Sequence, residues 1–155
     1  FYAGQRPAVN VGVSVSRVGG AAQVKAMKKV SDNLKLDLAQ YRELAAFAQF
    51  STDLDEATKK QIDRGSRMME LLKQDQFQPM TVEHQVAVIW AGSSGHLDDV
   101  AVWQIREFEH EFLVYLDQGY KKTLTAIAKE KVMSEESEKE LIEAIGDFKK
   151  TFSKL

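Results

Sequence analysis

Arg17 is the first residue in this sequence whose type and position could do chemistry. It closes the run Pro7-Ala8-Val9-Asn10-Val11-Gly12-Val13-Ser14-Val15-Ser16 and precedes Val18-Gly19-Gly20, a flexible exit that lets a guanidinium project outward. A planar fork of donors suits a phosphate oxyanion held by another molecule. An ordinary salt bridge at the end of the run is the plainer reading, and the pattern leaves both open. Ser14 and Ser16 have no His or Asp beside them to activate a hydroxyl, so a nucleophile is not expected. Glu107, His110 and Glu111 share a helix face at i, i+3 and i+4, but mixed charge on an exposed face gives the same spacing, and no metal site is expected. Asp98-Asp99 reads as a capping element ahead of a helix, with an acidic contact loop as the functional alternative. The chain has no cysteine and no G-x-x-x-x-G-K-[ST] loop, which removes thiolate chemistry and that mode of triphosphate binding. No self-contained active site is present.

Two kinds of element must position these groups. Valines at 9, 11, 13 and 15 alternate with small or polar residues, the period of a strand with one apolar face, and Gly19-Gly20 ends it. A lone strand leaves its backbone groups unpaired, so its sheet belongs to another chain or to a longer version of this one. From Ala21 onward the period is helical. Ala21 to Phe50 is rich in good helix formers, with an interruption at Ser31-Asp32-Asn33. Asp53 followed by Glu56 reads as a capping box, opening a stripe of Ile62, Gly65, Met69 and Leu72. Thr81 caps an apolar helix ended by Gly92 and Gly95; Val102, Ile105, Phe108, Phe112 and Leu116 step by three or four up to Gly119. After a segment from Lys121 to Lys131, Ser134 caps a last helix carrying Leu141, Ile145, Phe148, Phe152 and Leu155. The expected fold is mainly α: a bundle of five to seven helices preceded by a single orphan β-strand. The Met68-Met69 pair and the Phe108/Phe112 stripe are core.

Length and composition agree with one compact unit. A chain of 155 residues typically buries about 68–70% of its unfolded surface, enough for a core without staples. Twenty-one Lys and Arg against 23 Asp and Glu leave a net charge of −2, which argues against a dedicated nucleic-acid binder. No apolar run approaches the roughly 20 residues that span a bilayer, so direct membrane insertion is not expected. The chain opens on Phe1 rather than Met and reads as a piece of something longer.

The valine–serine run and its arginine resemble the shared signature of rotary ATPase alpha and beta subunits. Arg17-Val18-Gly19-Gly20-Ala21-Ala22-Gln23, the stretch Leu38 to Phe50, Leu71-Leu72-Lys73-Gln74 and Gln85 to Ile89 are similar to the F-type ATP synthase alpha subunit in particular. The resemblance covers essentially the whole chain. It implies residues 1–20 as the remnant of a nucleotide-binding domain and 21–155 as the C-terminal helical domain. It also implies that Arg17 reaches in trans to the catalytic site of a neighbouring beta subunit. Phe1, Arg6, Pro7, Gln74 and Gln76 match the base-side wall of a non-catalytic nucleotide pocket, with Asp75 standing where relatives often have a small residue. The implied ligand is ATP or ADP with Mg in the full subunit, none being held tightly by this piece, whose phosphate-binding loop lies upstream. The implied partners are the beta subunit, other alpha subunits in a hetero-hexameric ring, and the central stalk gamma subunit. Residues 93–99 are the expected stalk-facing turn, with His96 where relatives often carry an aromatic. The enzyme so implied is a proton-translocating ATP synthase, peripheral on the cytoplasmic face of a bacterial inner membrane or the matrix or stromal face of an organelle. A free-standing helical interaction module with a disordered N-terminal arm is the alternative.

Overall fold

A computed structural model of the chain describes residues 6–10, 14–50 and 53–152. Among them are seven α-helices: α1 (Lys25–Ser31), α2 (Leu34–Ala48), α3 (Glu56–Leu71), α4 (Val82–Ser93), α5 (Ile105–Gly119), α6 (Lys121–Glu130) and α7 (Glu135–Phe152). Short 3-10 turns at Gly19–Ala21 and Val102–Gln104 precede α1 and α5. The helical bundle is as the hydrophobic period predicts, including the break at Asp32-Asn33.

The bundle is organised around α4. Val86, Ala87, Val88, Trp90, Ala91 and Gly92 are all buried, so this helix is apolar around most of its circumference. It packs on α1 and α3 along one flank and on α6 along another, while α5, α6 and α7 pack against one another. Between α5 and α7 lies an aromatic cluster of Phe108, Phe112, Tyr115, Phe148 and Phe152. Gly65 lets α3 lie close against α2, because a Cβ there would overlap the ring of Tyr41. The hand-over from α6 to α7 uses Lys131 in the left-handed region at φ 57°. Its N–H donates to the Ile127 carbonyl and its own carbonyl accepts from Ala26 N at 2.9 Å, which fastens α1 to the end of α6.

Three expectations need correction. No strand is present among the described residues. Ser14 N donates to Asn10 O at 2.8 Å, a turn closure that extended backbone cannot make, and Val9 and Val15 are exposed. Val11 and Val13 lie outside the described residues. Among the described residues no neighbouring strand is present to complete a ladder. The cap of α3 is Asp55, which accepts from Thr58 N at 2.9 Å and Thr58 Oγ1 at 2.7 Å, and not Asp53. Asp98 and Asp99 cap no helix: Ala101 occupies the N-cap of the 3-10 turn that leads into α5, and both carboxylates are ion-paired elsewhere. Ser134 does cap α7, its Oγ accepting from Ser137 N at 3.1 Å.

Candidate functional site

The residues expected to act fall into three places. Arg17 sits in a bend just before the first 3-10 turn, with its side chain exposed. The turn is built by Ser16, whose Oγ accepts from Gly19 N at 3.0 Å, and by Gly19 at φ 32°. Lys35 on α2 donates to Ser14 O at 2.8 Å and ties the segment to the bundle. Among the described residues Arg17 has neither a hydrogen bond nor an ion pair, so the strand-end salt bridge is not formed. The guanidinium is free to meet an external anion.

The second place is a cleft of about 920 Å³ lined by Arg6, Pro7, Ala8, Val9, Leu72, Lys73, Gln74, Asp75, Gln76 and Arg106. Four of the five residues expected on a base-side wall, Arg6, Pro7, Gln74 and Gln76, therefore meet around one space, although about 70 positions separate the pairs. Phe1 lies outside the described residues. The cleft combines amide groups with an apolar side from Pro7, Val9 and Leu72, a combination suited to a flat heterocycle. Gln74 Nε2 donates to Gln78 O at 2.6 Å, so the loop fixes that amide's orientation. Among the described residues nothing donates to its oxygen, which remains an open acceptor.

Next to this cleft, and sharing Lys73, Gln74, Asp75 and Arg106 with it, is a smaller cavity of about 330 Å³ that also touches Glu109 and His110. Glu109 was missed from sequence, where α5 looked like a mixed-charge face bearing Glu107, His110 and Glu111. Those three sit at or near the surface, whereas Glu109 is only 6% exposed. The signal was available: 105, 108, 109, 112 and 116 form an i, i+3, i+4, i+7, i+11 stripe, and the carboxylate occupies an apolar slot in it. Burial pushes the Glu109 carboxyl up to about 7, with Arg106 opposing and Asp75 reinforcing the rise. In an unfolded chain the same group titrates near 4.3. The folded state therefore holds the extra proton between these values. Stability associated with Glu109 is whole at low pH, declines as pH rises through that window, and is flat above about 7. Glu109→Gln is expected to stabilise the chain by on the order of 2–3 kcal/mol at pH 8 and by almost nothing at pH 4.5, read as the difference in urea midpoint from the parent at each pH. An equal effect at both pH values would show that folding leaves the titration of this carboxyl unshifted.

The third place is the turn at 93–99. Asp98 is held by Arg64 Nε at 3.1 Å and by its Nη2, and Asp99 pairs with Lys149. The Arg64 guanidinium holds the Asp98 carboxyl below the usual carboxylate range. Leu97 is buried and His96 lies against Trp90, ring centroids 4.6 Å apart. The turn is thus pinned to α3, α4 and α7. Among the described residues no cluster of three or more His, Asp or Glu could hold a metal ion, and no helix is long and apolar enough to cross a membrane.

A seven-helix domain with an apolar central helix and a glutamine-bearing cleft defines a class of helical domain rather than an activity. The comparisons narrow it: residues 23–148 match the family described as ATP synthase alpha/beta chain, C terminal domain. The chain is 57% identical over 152 residues to ATP synthase subunit alpha of Thermobifida fusca (strain YX) and 56% identical over 152 residues to that of Petrotoga mobilis (strain DSM 10674 / SJ95). Each alignment covers 98% of this chain but only 28% and 30% of the relative. The chain belongs to the ATP synthase alpha/beta C-terminal domain family, and it spans less than a third of the length of these relatives.

Proposed function

We propose that the chain acts as the C-terminal part of an alpha subunit in the catalytic ring of a rotary ATP synthase. In this reading it contributes to the assembly in three ways. Arg17 offers its guanidinium to the phosphoryl group at a neighbouring beta subunit's site, where parallel donors meet charge spread over equatorial oxygens. Arg6, Pro7, Gln74 and Gln76 form the base-side wall of a nucleotide pocket that does not itself turn over. The helical bundle contacts the central stalk. ATP or ADP would enter the pocket with its Mg held among phosphate-side groups that these four residues do not supply.

The observation that carries the reading is the meeting of Arg6 and Pro7 with Gln74 and Gln76 around one cleft of about 920 Å³. The set fits an adenine. With its amide nitrogen bonded to Gln78 O, Gln74 has an oxygen acceptor to offer an exocyclic amine, whereas inosine or guanosine would bring a carbonyl to that place. The test is nucleotide binding to the complete subunit. Gln74→Ala is expected to weaken ATP by about tenfold and to erase most of any preference over ITP. ATP affinity unmoved by Gln74→Ala and Gln76→Ala together would refute the pocket.

A further inference from the structure

We infer that Arg106 is a positioning residue of the base-side wall, latching the Lys73–Gln76 loop to α5 so that the amides of Gln74 and Gln76 are held at the cleft. The inference rests on the reading of that cleft as a nucleotide pocket. After α3 ends, residues 73–81 have no helix or strand to fix them, and their internal bonds are Gln78 N to Asp75 O at 3.3 Å and Gln74 Nε2 to Gln78 O at 2.6 Å. These bonds shape the loop without attaching its start, whereas its far end is tied to α4 by Gln85 Nε2, which donates to Met80 O at 2.8 Å. Among the described residues, Lys73 links it back to α3 through Glu70, and the only hydrogen bonds from residues 73–76 to a different element come from Arg106.

Arg106 is suited to the task. Its Nη1 donates to the Lys73 carbonyl and its Nη2 to Asp75 Oδ2 at 3.1 Å, two acceptors that flank Gln74 on either side. The first bond brings a cation to a carbonyl just past the C-terminus of α3, where the helix leaves unpaired carbonyls and a partial negative charge. The second neutralises Asp75, the acid that stands between the two glutamines. One planar fork thus grips main chain and side chain together, which a lysine ammonium could not do with the same geometry. Arg106 also lies between two acids, with Asp75 on the loop and Glu109 one turn further along α5. The other charged groups around the cavity are Lys73, Glu107 and His110. An isolated surface ion pair would add little, but here the base of α5 is anchored by the buried Ile105 and Phe108, so the guanidinium starts from a rigid helix.

The experiment compares ATP, ITP and inorganic tripolyphosphate binding to the complete subunit for the parent, Arg106→Gln, Arg106→Lys, Asp75→Asn and Gln74→Ala. Arg106→Gln is expected to weaken ATP about tenfold and to collapse the ATP-to-ITP ratio toward one, while tripolyphosphate, which has no base, binds as before. Arg106→Lys should recover part of the ratio, since it keeps the charge and one bond. Asp75→Asn, which leaves α5 untouched, should lower the ratio by a few-fold even if Arg106→Gln folds poorly. The two readings fail separately. A ratio that persists in Arg106→Gln and Asp75→Asn but is lost in Gln74→Ala overturns the latch and leaves the pocket standing. A parent that binds ATP and ITP alike overturns the latch, and parental ATP affinity in Gln74→Ala and Gln76→Ala together overturns the pocket and the latch with it.

Discussion

Arg17→Ala, built into a complete alpha subunit and assembled with beta subunits, is expected to lower steady-state ATP hydrolysis by about 10³–10⁵, the range that arginines supplied across an interface contribute. At least about 4 kcal/mol of transition-state stabilisation is at stake. Arg17→Lys should recover little of it, because an ammonium is a single point charge and cannot offer two parallel N–H groups to a phosphoryl group. What makes the substitution a clean probe is the environment of Arg17. The side chain is exposed, and among the described residues it bonds to nothing, so its removal leaves no buried partner unsatisfied. Thermal midpoint and nucleotide affinity of the alpha pocket should therefore stay at parental values while turnover falls. Near-normal turnover in Arg17→Ala would remove the catalytic half of the proposed function. A parallel loss of stability would return Arg17 to the salt-bridge reading.

The fold was largely legible because helices advertise themselves locally. The steps of three and four through Val102, Ile105, Phe108, Phe112 and Leu116 needed only propensity and period; α5 stops at Gly119 as that spacing implies, although Val102 falls in the 3-10 turn ahead of it. The valines at 9 to 15 carry an equally clear period of two, yet a strand is not a local object; it exists only with a partner, and none is present among the described residues. Asp53 and Asp55 illustrate a smaller ambiguity. Both precede the same helical stretch, and only the placement of Thr58 decides which carboxylate receives its N–H. The cleft lay beyond pattern reading altogether. Arg6-Pro7 and Gln74 to Gln76 are ordinary residues far apart in the chain, and only the resemblance named them as a set. Arg106 and Glu109 were not named at all. The helix that carries them mixes Arg106 with several acids like a solvated face, and the consequence of placing a carboxylate one position after Phe108 becomes visible only when the stripe is counted through 109.

Packing and site meet at Phe108, one residue from Glu109 and two from Arg106. Phe108 is 1% exposed and stands edge-on to Phe148 and to Phe152, with ring centroids 5.0 Å away in both cases, and tilted against Phe112 at 5.7 Å. Edge-to-face pairs add to the area they bury, so truncation removes both packing and oriented ring contacts. Phe108→Ala is expected to cost about 3–5 kcal/mol, a large part of the stability of any single domain. For a chain of this size that corresponds to a fall of roughly 6–20 °C in Tm. Phe77 provides the contrast: it is 91% exposed, and Phe77→Ala should change stability by no more than about 0.5 kcal/mol. Urea denaturation followed through the fluorescence of buried Trp90 reads both variants. Comparable midpoints for the two would mean that the α5–α7 cluster is not where the stability resides. If Phe108→Ala does lose stability as expected, α5 is the element that carries both the aromatic core and the guanidinium at the loop. The cleft's geometry then depends on ring packing in the core behind it, and substitutions at the far side of α5 should weaken base discrimination even though they touch no residue of the cleft.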